Sequence, residues 1–122
     1  LIVRGVCCLR PGVPGVSEHI RVTSLVGRFL EHSRIFYFRN GGDELMYLGS
    51  ADLMPRNLDR RVETLFPVED AQLRRRLMRV LALYRRDTAN TRVLHPDGTY
   101  TWVATQSRRR FDAQAYFLTH DE

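Results

Sequence analysis

The chain has 122 residues, 43% of them apolar, and a net charge of +5. That is one domain's length with enough apolar side chains for a core, and no stretch reads as a membrane span or a secretory leader. All 19 basic residues are Arg, which excludes a Walker-type P-loop or a Schiff-base lysine within these residues. An Arg-for-Lys codon bias gives the same composition, so the count alone assigns no function. Cys7 and Cys8 are adjacent. Neighbours on a strand point to opposite faces, so they are read as buried free thiols and not as a shared metal site.

Leu1 to Leu9 reads as a buried strand interrupted by Arg4. The chain begins inside this run and without Met, and is read as a fragment of a longer protein. An Arg in an apolar strand needs an anion, and composition alone favours a structural ion pair over a ligand. Pro11-Gly12 and Pro14-Gly15 mark Arg10 to His19 as a loop. Thr23 to Glu31 reads as a short helix with Leu25, Val26, Phe29 and Leu30 on its inner face. Ile35 to Phe38 is the next strand, an aromatic, core-like one, and His32-Ser33-Arg34 opens it. Asn40-Gly41-Gly42-Asp43 predicts a hairpin turn to Leu45–Gly49, because Asn and Gly tolerate positive φ.

After Pro55, Leu58 to Phe66 reads as a strand, with Asp59, Arg61 and Glu63 on one face by period 2. Pro67 ends it. Asp70 is the expected N-cap of a helix running to Arg86, with Leu73, Leu77, Val80, Leu81 and Tyr84 as its apolar stripe. The arginines on that helix read as a solvated face in preference to a polyanion site. Arg92 to Val103 predicts a hairpin about Pro96-Asp97-Gly98, with Tyr100 and Trp102 packed on the body. Arg108 to Arg110 is a solvent-facing basic run, and Phe111 to Glu122 a tail with a short helix.

Two motifs fall at the ends of neighbouring predicted strands: His32-Ser33-Arg34 and Gly49-Ser50-Ala51-Asp52. They resemble the His-x-Lys and Gly-Ser-x-Asn of the phospholipase D superfamily, with Arg for Lys and Asp for Asn. A fuller ordered set resembles the C-terminal part of the long-chain-synthesising bacterial polyphosphate kinases. It comprises Ile2-Val3-Arg4-Gly5, Pro11-Gly12-Val13-Pro14-Gly15, Arg28-Phe29-Leu30-Glu31-His32, Asn40-Gly41-Gly42-Asp43, Ser50-Ala51-Asp52, Arg56-Asn57-Leu58-Asp59 and Arg61-Val62-Glu63. It keeps family order from residue 1 to about residue 70.

The resemblance implies an α/β (α+β) fold of phospholipase D-like type, a mixed sheet flanked by helices. It implies a second catalytic domain over residues 1–88, incomplete on its N-terminal side, and a C-terminal hairpin and tail over 89–122. The implied reaction is reversible transfer of the terminal phosphoryl of ATP to polyphosphate, with Mg²⁺ and a phosphohistidine in a preceding domain. His32 would be the opposing His, Arg4 and Arg61 would clamp phosphate oxygens, and Glu63 would orient a His. Mg²⁺ positions would lie largely outside these residues. The implied partners are ATP, ADP, polyphosphate and upstream domains of the same chain, with no nucleic acid and with homo-oligomerisation open. The implied location is the cytoplasm, with peripheral attachment to the inner membrane open. Two other readings stand beside it. A phosphodiesterase or phosphatidyltransferase would keep both phospholipase motifs intact. An Arg-rich nucleic-acid-binding module would interleave aromatics with its basic face for stacking.

Overall fold

Positive φ at three successive residues, Asn40 (44°), Gly41 (66°) and Gly42 (114°), turns the chain between two antiparallel strands. These are β2 (Ile35–Phe38) and β3 (Leu45–Gly49), paired Ile35 with Leu48 through Phe38 with Leu45, and the predicted hairpin is present in register. The structure is a computed structural model describing residues 1–5 and 7–120. In chain order it runs β1 (Thr23–Leu25), β2, a 3-10 turn, β3, α1 (Pro55–Leu58), β4 (Leu65–Pro67), α2 (Ala71–Arg86), β5 (Thr91–Leu94), β6 (Tyr100–Trp102) and α3 (Ala113–Phe117). It is an α+β architecture with two three-stranded antiparallel sheets. No helix among the described residues is long and apolar enough to cross a membrane.

The chain divides into two units. The first holds residues 1–31 and 81–122, the second 32–80. In the first, β5 is central between β1 and β6. Its core is Val22, Leu25, Leu83, Leu94 and Ala113. The helix expected over Thr23–Glu31 is instead strand β1 followed by irregular chain that bends at Arg28 and Phe29. Two long-range partners explain the difference. Thr23 to Leu25 pair with β5, and Val26 N–H continues to the Asn90 carbonyl at 3.0 Å. The Gln114 side chain then takes over the role of a neighbouring strand. It accepts from Phe29 N–H at 2.9 Å and donates to Phe29 C=O at 2.8 Å. Gly27 permits this close approach, since a Cβ there would stand 2.3 Å from Gln114 Oε1. A local helical period loses to these satisfied backbone groups.

Among the described residues, the strand expected over Leu1–Leu9 reduces to one parallel bridge, Ile2 to Thr23, with Val3 N–H on the Thr23 carbonyl at 2.8 Å. Val6 of that strand, like 121 and 122 of the tail, lies outside the described residues. Cys7 is half-buried, but Cys8 is exposed, against expectation; both are free. The β5–β6 hairpin forms about Pro96-Asp97-Gly98 as predicted, with Gly98 at φ 86°. Tyr100 and Trp102, expected against the body, are instead 40% and 49% exposed, because β6 is an edge strand.

In the second unit, β3 is central between β2 and β4. Met46 and Val68 are its buried apolar residues. The aromatic run of β2 is less core-like than expected: Phe38 is exposed and the other three residues are half-buried, as suits an edge strand. The strand expected over Leu58–Phe66 shrinks to β4. Pro55, with its fixed φ, starts a helical turn that takes in Leu58. Asp59 caps that turn in an αR conformation, so Asp59, Arg61 and Glu63 do not share a strand face. Pairing resumes only at Leu65, opposite Gly49. α2 starts and ends as predicted, with Asp70 Oδ1 accepting from Gln72 and Leu73 N–H, both at 2.8 Å. Its one buried residue is Leu83, outside the predicted stripe, and Leu73 is exposed.

Candidate functional site

The β2–β3 ladder carries one step beyond Ile35, where Gly49 N–H donates to the Arg34 carbonyl at 3.1 Å. That step sets His32-Ser33-Arg34 against Gly49-Ser50 at one end of the second unit's sheet. Together they line an open groove. Its polar residues are His32, Ser33, Arg34, Ser50 and Thr64, and Ile35, Leu48, Phe66 and Leu77 supply apolar wall. Gly49 keeps the floor narrow: a Cβ there would lie 3.2 Å from Leu65 and 3.4 Å from the Phe36 ring.

Arg34 is the fixed cation of the groove. Its Nε donates to Asp52 Oδ1 at 2.9 Å and its Nη1 to the His32 carbonyl at 3.0 Å. Two of its five N–H donors are thereby spent on orientation, and the rest of the fork is left for an anion. Asp52 is held below the usual carboxylate range, first by the hydrogen bond from Arg34, then by its charge, with the Asn57 amide and Arg56 adding to this. Asn57 itself is buried, and its Oδ1 finds no partner among the described residues.

Ser50 closes the opposite wall. Its N–H donates to Thr64 C=O at 3.0 Å, its hydroxyl oxygen accepts from Thr64 N–H at 2.9 Å, and its hydroxyl donates to Glu63 Oε2. The carboxylate fixes the hydroxyl's direction and leaves one lone pair committed to the backbone.

The structure therefore brings His32 to the groove and Glu63 to its wall through Ser50. The Glu63 carboxylate is on a hydroxyl, and no imidazole is among its partners in the described residues. Arg61 is exposed on the irregular segment between α1 and β4 and makes no hydrogen bond or ion pair among the described residues. Arg4 is exposed and belongs to the first unit. Sequence reading passed over Arg34 and Asp52 as partners. The available signal was that both motifs depart from their phospholipase counterparts, Lys to Arg and Asn to Asp, and the two departures are joined in one ion pair.

The expected pH behaviour follows from the sign of the Asp52 shift. A depressed folded value means the pair's contribution is complete above the ordinary 3.8 and is lost as pH falls through the lower folded value. In an NMR titration the Asp52 carboxyl should therefore titrate below 3.8, and Arg34→Ala should move it upward. Titration of the unaltered protein at or above the ordinary value would mean the pair does not form in solution.

No group of three His, Cys, Asp or Glu able to hold a metal occurs among the described residues. Asp52 is engaged by Arg34 and Glu63 by Ser50, so these residues do not fit a resident Mg²⁺ site.

The family model described as polyphosphate kinase C-terminal domain 2 matches residues 1–114. The chain is 64% identical over 100 residues to a polyphosphate kinase of Rhodopirellula baltica, covering 82% of this chain and 12% of that protein. It is 61% identical over 100 residues to a polyphosphate kinase of Pseudomonas aeruginosa, covering 82% and 14%. Among solved structures it resembles the polyphosphate kinase from Porphyromonas gingivalis, with TM-score 0.84 and 41% identity over 92% of this chain and 17% of the other. The chain thus spans under a fifth of the length of these relatives.

Proposed function

We infer the function from a family premise: the chain belongs to the polyphosphate kinases, as their C-terminal domain 2. On that premise it supplies one wall of a site for reversible transfer of the ATP terminal phosphoryl to polyphosphate. The observation that carries this reading is Arg34, held by Asp52 and the His32 carbonyl with donors to spare, beside the His32 and Ser50 side chains. Such a preorganised cation stabilises charge on a transferring phosphoryl without reorganising during reaction.

In this proposal His32 binds ATP phosphates or moves a proton, and Arg4 and Arg61 contact phosphate oxygens. Glu63 acts through Ser50 as a positioning residue. The phosphohistidine belongs to an upstream domain of the same protein, and splitting the transfer into two displacements lowers each barrier. Mg²⁺ would be held largely outside these residues. Exposed Leu53, Leu58, Val62, Leu65, Phe66 and Leu73 in the second unit support packing against further protein.

The test compares the isolated 122-residue chain with the full-length protein. With ATP and Mg²⁺, polyphosphate should accumulate only with the full-length protein. Robust synthesis by the chain alone would overturn the two-part site, and none by the full-length protein would overturn the kinase reading.

A further inference from the structure

Several arginines of the first unit rest on aromatic rings and not on carboxylates. The Arg92 guanidinium carbon lies 4.1 Å from the centre of the Trp102 ring, and that of Arg110 lies 5.7 Å from the same ring. Arg86 sits 5.0 Å from the Phe111 ring. The hairpin register builds the first contact, since it sets Arg92 directly across from Trp102. An aromatic face fixes a guanidinium without neutralising it, whereas a carboxylate would cancel its charge. The Arg34–Asp52 carboxylate ion pair, by contrast, lies in the second unit.

The surrounding chain adds charge of one sign. Between Asp97 and Asp112 it carries Arg108, Arg109 and Arg110 and no acid. All three are exposed, and Arg109 and Arg110 border an open groove with Ser107, His120 and one acid, Asp112, whose carboxylate accepts from Ala115 N–H at 3.0 Å. Arg92 and Arg110 are positioned by the ring and make no carboxylate ion pair among the described residues, and adjacent cations of this kind complement a linear polyanion.

We propose that Arg92, Trp102 and Arg110, continued by Arg109, form a surface track for inorganic polyphosphate, holding internal phosphates of the chain and not its reacting end. This rests on the family reading above. Polyphosphate fits better than single-stranded nucleic acid because the Trp102 ring, which a base would need for stacking, already carries two guanidiniums. Trp102 is the spacer that aims them, and the N–H edges are the contact surface.

The experiment uses the full-length protein and three labelled probes: long-chain polyphosphate, tripolyphosphate and oligouridylate. Arg92→Gln/Arg110→Gln should weaken long-chain binding about tenfold and reduce the log–log salt slope by about one to two, the counterion release of two phosphate contacts. Tripolyphosphate binding should not change. Trp102→Phe should retain long-chain binding and Trp102→Leu should lose it, which separates support of the guanidiniums from general folding. If the double variant fails to fold, the exposed Arg110→Gln alone should still weaken long-chain binding about threefold. Unchanged long-chain binding in the variants overturns the track, and so does a loss confined to oligouridylate, which would make the surface a nucleic-acid site. If the unaltered protein binds neither polyphosphate, the family reading fails first and the track with it.

Discussion

Arg34→Ala should lower polyphosphate synthesis by the full-length protein about a hundredfold, a loss of about 3 kcal/mol of transition-state stabilisation. The guanidinium is half-buried, carries a fixed orientation from Asp52 and His32, and stands in the groove with part of its fork unused. Arg34→Lys keeps the charge but cannot hold Asp52 and present a planar fork together, so it should recover only part of the rate. Asp52→Ala should act through Arg34. Its effect on the rate should be smaller than that of Arg34→Ala, and the double variant should be no worse than Arg34→Ala alone, the non-additivity expected when one residue works through another. Arg75→Ala, exposed on α2, serves as the comparison and should leave the rate near that of the unaltered protein. Steady-state synthesis by each variant checks the set. A near-normal rate for Arg34→Ala with a collapse for Arg75→Ala would move the site to the arginine helix.

The parts of this arrangement that were legible in the sequence are those fixed by neighbouring residues. Asn40-Gly41-Gly42 demands positive φ, which dictates the hairpin and so the register that sets Arg34 opposite Gly49. Asp70 caps α2 through its own side chain, three residues from the N–H it accepts. The misread segments depend on distant partners. Residues 23–31 have an apolar period compatible with a helix, and partners far along the chain, β5, Asn90 and Gln114, make the non-helical form better satisfied. Residues 58–66 alternate like a strand, but β3 has no free ladder for them, because Ser50 ends it on Thr64 and Glu63.

The Arg34–Asp52 pair was readable in principle as two matched departures from one motif pair. The Arg92–Trp102 contact was readable from the turn centred on Asp97, which places those residues opposite each other. Alternation along β6 would set Trp102 against the body, but β6 is an edge strand and leaves the ring half exposed.

Asp87→Ala should destabilise the protein by about 3 kcal/mol, the largest stability effect expected of any single polar substitution in the first unit. Asp87 is 1% exposed and follows the last residue of α2. Its Oδ1 accepts from Asn90 N–H at 2.7 Å and from the Thr91 hydroxyl at 3.2 Å, and its Oδ2 accepts from Ala113 N–H at 2.8 Å. One carboxylate thus satisfies the entry to β5 and the entry to α3. Truncation leaves buried donors without acceptors, each costing about 1 to 3 kcal/mol if water cannot reach it. Asp87→Asn keeps the shape but turns one acceptor oxygen into a donor facing N–H groups, so its cost should fall between that of Asp87→Ala and the roughly 1 kcal/mol expected for Thr91→Val, which deletes only the longest of the three bonds. Urea unfolding of the three variants gives the order directly. A loss below about 1 kcal/mol for Asp87→Ala would mean that water replaces the carboxylate on its donors, and that packing of Ala113, itself fully buried, holds α3 without it.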